Sequence, residues 1–399
     1  MNLPVRVGLL GLAQICAWGS LYYTLGILSP AIAQETGTSE GLIFGAFSAG
    51  LLIAGLIAPR VGKLIDRQGA RPVLACGSVC AAIALAMLAS AQGPWTIVAA
   101  WLVGGFAFAA TLYDAAFAAL NQLTREHYRR AVTGLTLFGG FASTVFWPLT
   151  HALQNALGWR ETLWLYAAMH LFLTAPLHWF TLPRVRTDAS GGNPPDAAGT
   201  PAPPAEPAPH PAFFWLATSF ALGSAVVAVV GVHMVGLLTG TGLAREAAVL
   251  AAMAMGPAQV VGRVVEITLL KHLSASRIGL MALGAMLLSL VLLVILPAWL
   301  WVAWLFVVLY GLGNGVLTIV RGSAPAELMG HARLGYTLGR LSRPATIAKA
   351  LAPGLFAWLI GGGVSQDTAL LGVALLAAGA LISLHLAAKT AALTPALSS

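Results

Sequence analysis

Apolar stretches of about 20 residues or more follow one another along almost the whole chain. Each is long enough to cross the hydrocarbon core of a bilayer as a helix. Charged residues make up 9% of the 399 residues and hydrophobic residues 58%, whereas soluble proteins carry about 25% charged residues. A soluble globule of this size could not be covered with so little charge. The sequence therefore excludes a soluble enzyme.

Turn-forming residues divide this apolar sequence into separate membrane helices. The divisions fall at Pro94, at Pro211, at Pro297 and in residues 240–242. The stretches are continuous and do not alternate, which favours helices over the strands of a barrel. We predict an all-α membrane protein with twelve transmembrane helices in two six-helix bundles. The predicted spans are residues 7–32, 41–59, 72–92, 95–120, 131–157, 161–182, 212–239, 246–270, 277–297, 299–321, 336–362 and 368–388.

A proline-rich segment separates the two predicted bundles. Residues 183–211 are rich in Pro, Ala and Gly and offer no apolar face, which predicts a disordered cytoplasmic linker. The bundles are then residues 1–182 and residues 212–399. Short matches between the bundles predict an internal repeat. For example, residues 62–66 are Gly-Lys-Leu-Ile-Asp and residues 262–266 are Gly-Arg-Val-Val-Glu.

Lys and Arg are distributed unevenly between the predicted loops. With the N-terminus in the cytoplasm, only Arg160 and Arg245 lie clearly on the outer side. This is the bias of the positive-inside rule, so we predict that both termini are cytoplasmic. The rule also accounts for the net charge of +8 without a nucleic-acid partner. We expect a monomeric multi-pass protein of the bacterial inner membrane, with the lipid bilayer around it.

The loop after the second predicted span carries the most specific motif. Residues 62–71 are Gly-Lys-Leu-Ile-Asp-Arg-Gln-Gly-Ala-Arg. This loop resembles the signature loop of the major facilitator superfamily of secondary transporters. The twelve spans, the central linker and the repeat extend the resemblance over the chain, and it implies the fold of that superfamily. Asp66 is predicted either to cap a helix start or to pair with Arg340 or Arg343 of span 11, and so to close the cytoplasmic side.

Within that superfamily the chain is most similar to the branch of monocarboxylate transporters and oxalate/formate exchangers. Residues 258–263 are Ala-Gln-Val-Val-Gly-Arg. The branch has an acidic residue four positions before an Arg that receives the substrate carboxylate. The resemblance therefore implies that Arg263 binds an anion, with Gln259 in place of the proton-linked acid. A second alignment, through the internal repeat, makes Arg263 the counterpart of Lys63 in the loop.

Two cations of the second half are predicted to hold an anionic substrate. The planar fork of Arg263 matches a carboxylate bidentately, unless Glu266, one turn further on, neutralises it. Lys349 lies in the middle of span 11. It adds positive potential if it faces a cavity, and nothing if it reaches the membrane interface.

Two further charges inside predicted spans have opposite signs. Asp114 of span 4 and Arg321 of span 10 occupy matching positions in the two halves, and ionisable residues inside a membrane are functional candidates because they are costly there. We predict that they meet at the inner mouth of the cavity as a gating or coupling pair. The alternatives are a static packing pair, or an ion pair between Asp114 and Arg129 or Arg130.

Large polar and aromatic residues form one-sided stripes on spans 1 and 5, at spacings of three and four residues. They predict a cavity wall that contacts the substrate, and the alternative is helix packing. The histidine in the second stripe, like His233, is also a candidate proton carrier. The residues predicted to line the cavity are Gln14, Trp18, Tyr22, Tyr23, Trp147 and His151.

No nucleotide-binding loop and no catalytic or metal-binding motif occurs in the sequence. It therefore predicts neither an enzyme nor a bound cofactor or metal, and transport energy must come from a gradient. The predicted function is symport of a small organic anion, of the monocarboxylate kind, with protons. One alternative is proton-driven export of amphipathic compounds or drugs, which apolar walls would suit. Another is a membrane sensor that does not transport, which would need a soluble signalling domain.

Overall fold

The computed structural model of the protein describes residues 2–184, 210–296 and 299–393. Within these ranges there is no strand, and the predicted linker falls almost entirely outside them. Twelve helices account for most of the described residues. They are α1 (Leu3–Thr36), α2 (Glu40–Gln68), α3 (Ala70–Ala89), α4 (Pro94–Leu123), α5 (Tyr128–Leu157), α6 (Trp159–Met169, His170–Thr174 and Ala175–Thr181), α7 (Ala212–Gly240), α8 (Arg245–Thr268), α9 (Ala275–Ile295), α10 (Leu300–Met329), α11 (Leu334–Gly361) and α12 (Gln366–Leu393).

Eleven of these helices are long and apolar enough to cross a membrane. The exception is α6, whose hydropathy is lowered by His170 and His178. Both imidazoles are buried and lie 2.7 and 2.9 Å from the hydroxyls of Ser20 and Ser78, so each has a hydrogen-bond partner inside the bundle. Each helix overlaps one predicted span, which confirms the all-α membrane fold.

The ends of the helices are set by side-chain caps and by glycine. Ser39 before α2 and Ser274 before α9 each accept a hydrogen bond, at 3.3 Å, from the N–H three residues on. Gly69 and Gly330 adopt φ of 89° and 84°, a region that favours glycine. The chain can therefore turn sharply between α2 and α3 and between α10 and α11.

The two halves of the chain have separate hydrophobic cores. One core contains only residues of the N-terminal half, including Leu28 and Trp101. Another contains only residues of α7 to α12, including Phe306 and Tyr310. These cores support our proposal that the chain forms two bundles, which can move as units because each buries its own apolar surface.

The same capping contact occurs in both halves. Gln122, near the end of α4, accepts a hydrogen bond from the N–H of Ala70 at the start of α3, at 2.8 Å. Glu327, near the end of α10, accepts hydrogen bonds from the N–H groups of Ala275 and Ser276 at the start of α9. Corresponding helices thus make corresponding contacts, which supports an internal duplication.

The two halves touch at one end and stand apart at the other. At the closed end, a third hydrophobic cluster combines N-terminal helices with residues such as Ile319 of α10 and Leu338 of α11. Towards the other end, which we call the open end, Ala142–Leu157 of α5 and Arg245–Met253 of α8 pack mainly against helices of their own half. With the predicted orientation the closed end is cytoplasmic, and the space between the halves opens outward.

Candidate functional site

A π-helical turn, Trp18–Tyr23, interrupts α1 midway along its length. The N–H of Thr24 donates to the carbonyl of Gly19, five residues back, at 3.1 Å. This turn is wider than an α-helical one and brings Tyr22 and Tyr23 together against Trp18. Their ring centroids lie 5.2 and 6.3 Å from that of Trp18. The aromatic residues predicted to share one face of α1 therefore form one cluster.

A second π-helical turn, His170–Thr174 in α6, holds the first in position. Ser20 in the α1 turn and His170 in the α6 turn are hydrogen bonded at 2.7 Å. The other imidazole nitrogen of His170 lies 3.0 Å from the Thr174 hydroxyl. Because both side chains are buried, this bond fixes the irregular turn that carries the aromatic residues.

The aromatic cluster extends from α1 to two neighbouring helices. Trp147 of α5 contacts Tyr23 edge-on, with centroids 6.2 Å apart. Tyr113 of α4 lies 5.0 Å from Trp18. Trp147 is 54% exposed, so this part of the cluster is accessible from outside the protein. We use "aromatic cluster" below for these five residues.

Lys349 of α11 joins the aromatic cluster from the opposite half. Its Nζ lies 4.6 Å from the ring centroid of Tyr22 and 5.7 Å from that of Trp18. Ring faces attract an ammonium group. The side chain therefore faces the cluster, and no carboxylate of the described residues lies within ion-pair distance of it.

Arg263 of α8 lies beside the same cluster and is 4% exposed. Its Nε donates to the carbonyl of Gly315 in α10 at 3.3 Å, and Nη1 lies against Gly140 of α5. The guanidinium is within electrostatic range of the phenol groups of Tyr23 and Tyr113. Across the ranges that the structure describes, no carboxylate is within 4 Å of its nitrogens. Arg263 is therefore buried without a counterion among the described residues.

Glu266 does not neutralise Arg263, which was one of the two sequence-based interpretations. Glu266 is 2% exposed and forms an ion pair with Arg129 of α5, at 2.6 Å. Its second oxygen accepts a hydrogen bond from Thr133 at 3.0 Å. Both carboxylate oxygens of Glu266 are therefore bonded to side chains of α5, because the end of α8 packs against α5 at the closed end. The Arg129–Glu266 pair links the two halves.

Asp66 links the end of α2 to the start of α11. Its two carboxylate oxygens accept hydrogen bonds from the N–H groups of Gly335 and Tyr336, at 3.0 and 2.7 Å. These amides are unpaired at a helix start, where the helix dipole also favours a negative charge. The predicted ion pair with Arg340 or Arg343 is not formed, because Arg340 lies over an aromatic ring of α7 at 4.3 Å and Arg343 is exposed. Of the two predicted roles, Asp66 has the capping one.

The helices α2 and α11 pack backbone against backbone beside Asp66. A Cβ at Gly62 would overlap the carbonyl oxygen of Gly335, and one at Gly339 would overlap that of Ala58. Small residues allow such close approach between membrane helices. The loop motif therefore holds this end closed in two ways. Gly62 allows the two helices to pack closely, and the carboxylate of Asp66 bonds to the start of α11.

Asp114 contacts α11 rather than its predicted partner Arg321. It lies just after a break in α4 at Leu112 and accepts a hydrogen bond from the hydroxyl of Ser342 at 2.5 Å. This part of α4 packs mainly against α11 and little against α10, which carries Arg321. The predicted Asp114–Arg321 pair is absent from this conformation, and so is the alternative ion pair of Asp114 with Arg129 or Arg130.

A further contact at the closed end involves a histidine that sequence analysis did not single out. His331, between α10 and α11, receives a hydrogen bond on its carbonyl oxygen from the amide of Asn121 in α4, at 3.0 Å. The amide oxygen lies 2.5 Å from Nδ1 of the imidazole, which donates to it. Burial and the nearby Arg125 guanidinium lower the pKa of His331 below its ordinary value.

Acid pH is therefore expected to weaken the closed end through His331. Its pKa is lowered while the end is closed and returns towards about 6.5 when the imidazole is released to water. The open form then binds protons more tightly, so lowering the pH towards 5.5 favours opening by less than about ten-fold. Spin-label distances across the closed end, in wild type and His331→Gln, measure the effect. Equal pH dependence in both proteins would exclude His331 as its source.

Three other candidates make hydrogen bonds within the described protein, and none of these bonds is to the aromatic cluster. The Gln14 side chain is buried and donates to the carbonyl of Thr111 at 2.6 Å. His151 is exposed and bonded to an asparagine one turn later, at 3.1 Å. His233 lies 3.1 Å from the carbonyl of Pro353. In residues 2–184, 210–296 and 299–393 no group of three or more His, Cys, Asp and Glu side chains is placed to hold a metal ion.

Sequence comparison connects most of the chain to one family. A profile of the Major Facilitator Superfamily matches residues 10–353. Over 158 residues the chain is 30% identical to the human protein Monocarboxylate transporter 11. That match covers 39% of this chain and 33% of the relative. The chain is thus aligned with one third of the relative's length.

Solved structures similar to this one share its architecture over nearly the whole chain. The human organic anion transporter MFSD10 (TETRAN) matches with a TM-score of 0.70 and 16% identity, covering 96% of this chain and 100% of that one. FucP in the outward conformation matches with a TM-score of 0.71 and 13% sequence identity, and the match covers 96% of this chain and 98% of FucP. The proton:xylose symporter XylE matches with a TM-score of 0.71 and 12% sequence identity, and the match covers 95% of this chain and 94% of XylE. At these identities the likeness concerns the fold alone.

Proposed function

Since the chain belongs to the Major Facilitator Superfamily and is a multi-pass membrane transporter rather than an enzyme, we propose that its cargo is a small organic anion of the monocarboxylate kind. We further propose that protons move with the anion by alternating access. The coupling ion and the substrate class are inferences from the site.

The uncompensated charge of Arg263 carries the proposal. An Arg at the centre of a membrane helix costs about 2.5–3.5 kcal/mol on insertion scales, and a buried charge without a partner is destabilising. Arg263 has one backbone hydrogen bond, at Nε, and no counterion among the described residues. A bound carboxylate would supply the missing charge and the acceptors for the guanidinium fork.

Lys349 and the aromatic cluster support the same class of substrate. Lys349 adds a second cation next to Trp18 and Tyr22, so the site has positive potential on its C-terminal side. The rings offer an apolar surface for the carbon skeleton of an organic anion. The positive charges of Arg263 and Lys349 disfavour binding of amphipathic cations, because like charges would be brought together. Such cations are typical cargo in the export alternative.

The closed end supplies a gate for alternating access. Access from the closed side requires the two halves to separate there, which breaks the contacts of Asp66 with α11 and of Glu266 with Arg129. Each half keeps its own hydrophobic core, so separation need not disrupt either bundle. In our proposal, Asp66, Glu266, Arg340 and Arg343 act in gating, with Arg340 and Arg343 at the start of α11.

Asp114 is our candidate for proton coupling. It is a half-buried carboxylate between the halves and accepts a short hydrogen bond from Ser342. Protonation would remove the charge that holds this hydrogen bond and would weaken the contact between α4 and α11. Arg321, on the neighbouring helix, is the cation that Asp114 would approach if the halves rearranged.

The proposal is tested by ligand-dependent thermal stabilisation of the purified protein. The panel contains formate, lactate and benzoate, amphipathic cations such as tetraphenylphosphonium, and sugars including xylose. A ligand at 100 times its dissociation constant adds about 2.7 kcal/mol of stability. We expect stabilisation by at least one carboxylate and none by the cations. Stabilisation by cations alone would support export of amphipathic compounds instead.

Proton coupling has its own test in proteoliposomes. An imposed inward proton gradient is expected to drive uptake of the stabilising carboxylate against its concentration gradient. Asp114→Asn should retain binding and exchange of the carboxylate but lose accumulation driven by the gradient. Equal accumulation in wild type and Asp114→Asn would remove Asp114 from the coupling mechanism.

A further inference from the structure

Two consecutive glycines of α5 adjoin two polar groups from opposite halves of the protein. A Cβ at Gly139 would overlap the hydroxyl oxygen of Tyr113 in α4. A Cβ at Gly140 would overlap Nη1 of Arg263 in α8. The absence of side chains on both residues therefore lets a phenol and a guanidinium each approach the same helix, at consecutive residues.

The ring of Tyr113 is held rigidly while its hydroxyl is left without a partner. The ring stacks on Phe117 with an interplanar angle of 4° and a centroid distance of 5.4 Å, and it also contacts Trp18. Its hydroxyl makes no hydrogen bond within the described parts of the chain. The hydroxyl is not one of the fully buried polar atoms that lack a partner, so it retains accessible surface and can donate a hydrogen bond to a bound ligand.

Arg263 likewise has donors with no acceptor among the described residues, at the adjacent position. Its Nε is bonded to Gly315, and neither terminal nitrogen has an acceptor among the residues that the structure includes. The neighbouring donors are thus a charged fork and a neutral hydroxyl. A carboxylate has two oxygens that can each accept two hydrogen bonds, which is enough for both donors at once.

We propose that Tyr113 is a further substrate-binding residue and that its hydroxyl and the Arg263 guanidinium bind the anionic group together. This inference rests on the proposed function, because it assumes that the cargo is an anion. Gly139 and Gly140 position the two donors by allowing them to approach the backbone of α5. The substrate group that fits is a compact, planar anion such as a carboxylate, held from both halves of the transporter.

The test measures binding of formate, lactate and benzoate to purified full-length variants by calorimetry. Tyr113→Phe keeps the ring and its stacking but removes the hydroxyl. We expect it to weaken binding of the carboxylates by about ten-fold, the loss of one hydrogen bond to a charged group. Its thermal stability without ligand should match that of wild type, because the hydroxyl has no partner in the empty protein.

Alanine substitutions in α5 provide a matched series. Gly140→Ala displaces the guanidinium and Gly139→Ala displaces the phenol, so both should weaken carboxylate binding. Gly134→Ala is the control, since the nearest atom to its new Cβ is Cγ1 of Val7 at 3.4 Å, an ordinary contact. Equal binding by Gly139→Ala, Gly140→Ala and Gly134→Ala would contradict the positioning role of the glycine pair.

The outcomes separate this inference from the proposed function. If Arg263→Ala loses carboxylate binding while Tyr113→Phe binds as wild type does, Tyr113 is not a ligand and the anion proposal stands. If wild type binds none of the three carboxylates, the proposed function fails, and the inference fails with it. Weakened binding in Tyr113→Phe with unchanged stability supports both.

Discussion

Replacing Arg263 by Ala is expected to abolish binding of the anionic substrate and to stabilise the empty protein. Binding should weaken by at least about 30-fold, since charge-assisted hydrogen bonds contribute about 1.5–3 kcal/mol and the variant loses more than one. The stability gain should be about 1–2 kcal/mol, because a buried uncompensated cation is removed and the lost packing of its side chain offsets only part of that. Opposite changes in binding and stability are typical of a functional residue.

Calorimetry with the stabilising carboxylate and thermal unfolding without ligand measure the two effects. Arg263→Lys keeps the charge but loses the bidentate geometry, so it should bind about ten-fold more weakly than wild type and retain some transport. Arg277→Ala is the control, since Arg277 is exposed at the start of α9 and should change neither quantity. Wild-type affinity in Arg263→Ala would refute Arg263 as the anion ligand.

The helices were predictable because membrane spans are a local property of the sequence. A window of about 20 apolar residues defines a span wherever it occurs, and breakers such as Pro94 and Pro211 lie at helix ends in the structure. Only α6 is ambiguous by composition, because it contains His170 and His178, whose hydrogen-bond partners Ser20 and Ser78 lie in α1 and α3. Such a long-range contact cannot be predicted from the hydropathy of α6 itself.

The partners of the charged residues could not be predicted fully. A sequence shows which side chains have opposite charges, but not which backbone groups or distant helices lie beside them. Asp66 was expected either to cap a helix start or to pair with a cationic side chain, and only the structure shows that it caps α11 through two backbone N–H groups. Glu266 was weighed as the partner of Arg263, one turn away. It pairs with Arg129, 137 positions earlier in the chain, which depends on how the halves pack.

Irregular helix geometry explains why the sequence did not predict the whole aromatic cluster. Tyr113 follows a break in α4 at Leu112, so no regular helical stripe includes it. The π turn of α1 brings Tyr22 and Tyr23 to one side of Trp18, although an α-helix would separate neighbouring residues by 100°. Sequence analysis named the three residues of α1, whereas it passed over Tyr113 despite selecting Asp114 beside it.

Replacing Asp66 by Asn is expected to shift the transporter towards opening at the closed end. The carboxylate caps α11 with two hydrogen bonds and a favourable interaction with the helix dipole. An amide keeps one acceptor and loses the charge, which should cost about 1–2 kcal/mol. The ratio of open to closed forms at this end should then rise about 5- to 30-fold. Spin-label distances between α2 and α11 measure the shift, and transport rates should fall because the outward-open form is depleted.

Glu266→Gln should act in the same direction and add to the effect of Asp66→Asn. It leaves Arg129, which is 26% exposed at its side chain, without a counterion, while the carbonyl of Leu270 still accepts from it. The two acids contact different helices, α11 and α5, and interactions that share no partner usually add. Glu126→Gln is the control, because Glu126 is exposed at the same end and has no ion partner among the described residues. If the double variant opens no more than Asp66→Asn alone, the closed end is a single cooperative contact. If neither single variant differs from Glu126→Gln, these carboxylates do not form the gate.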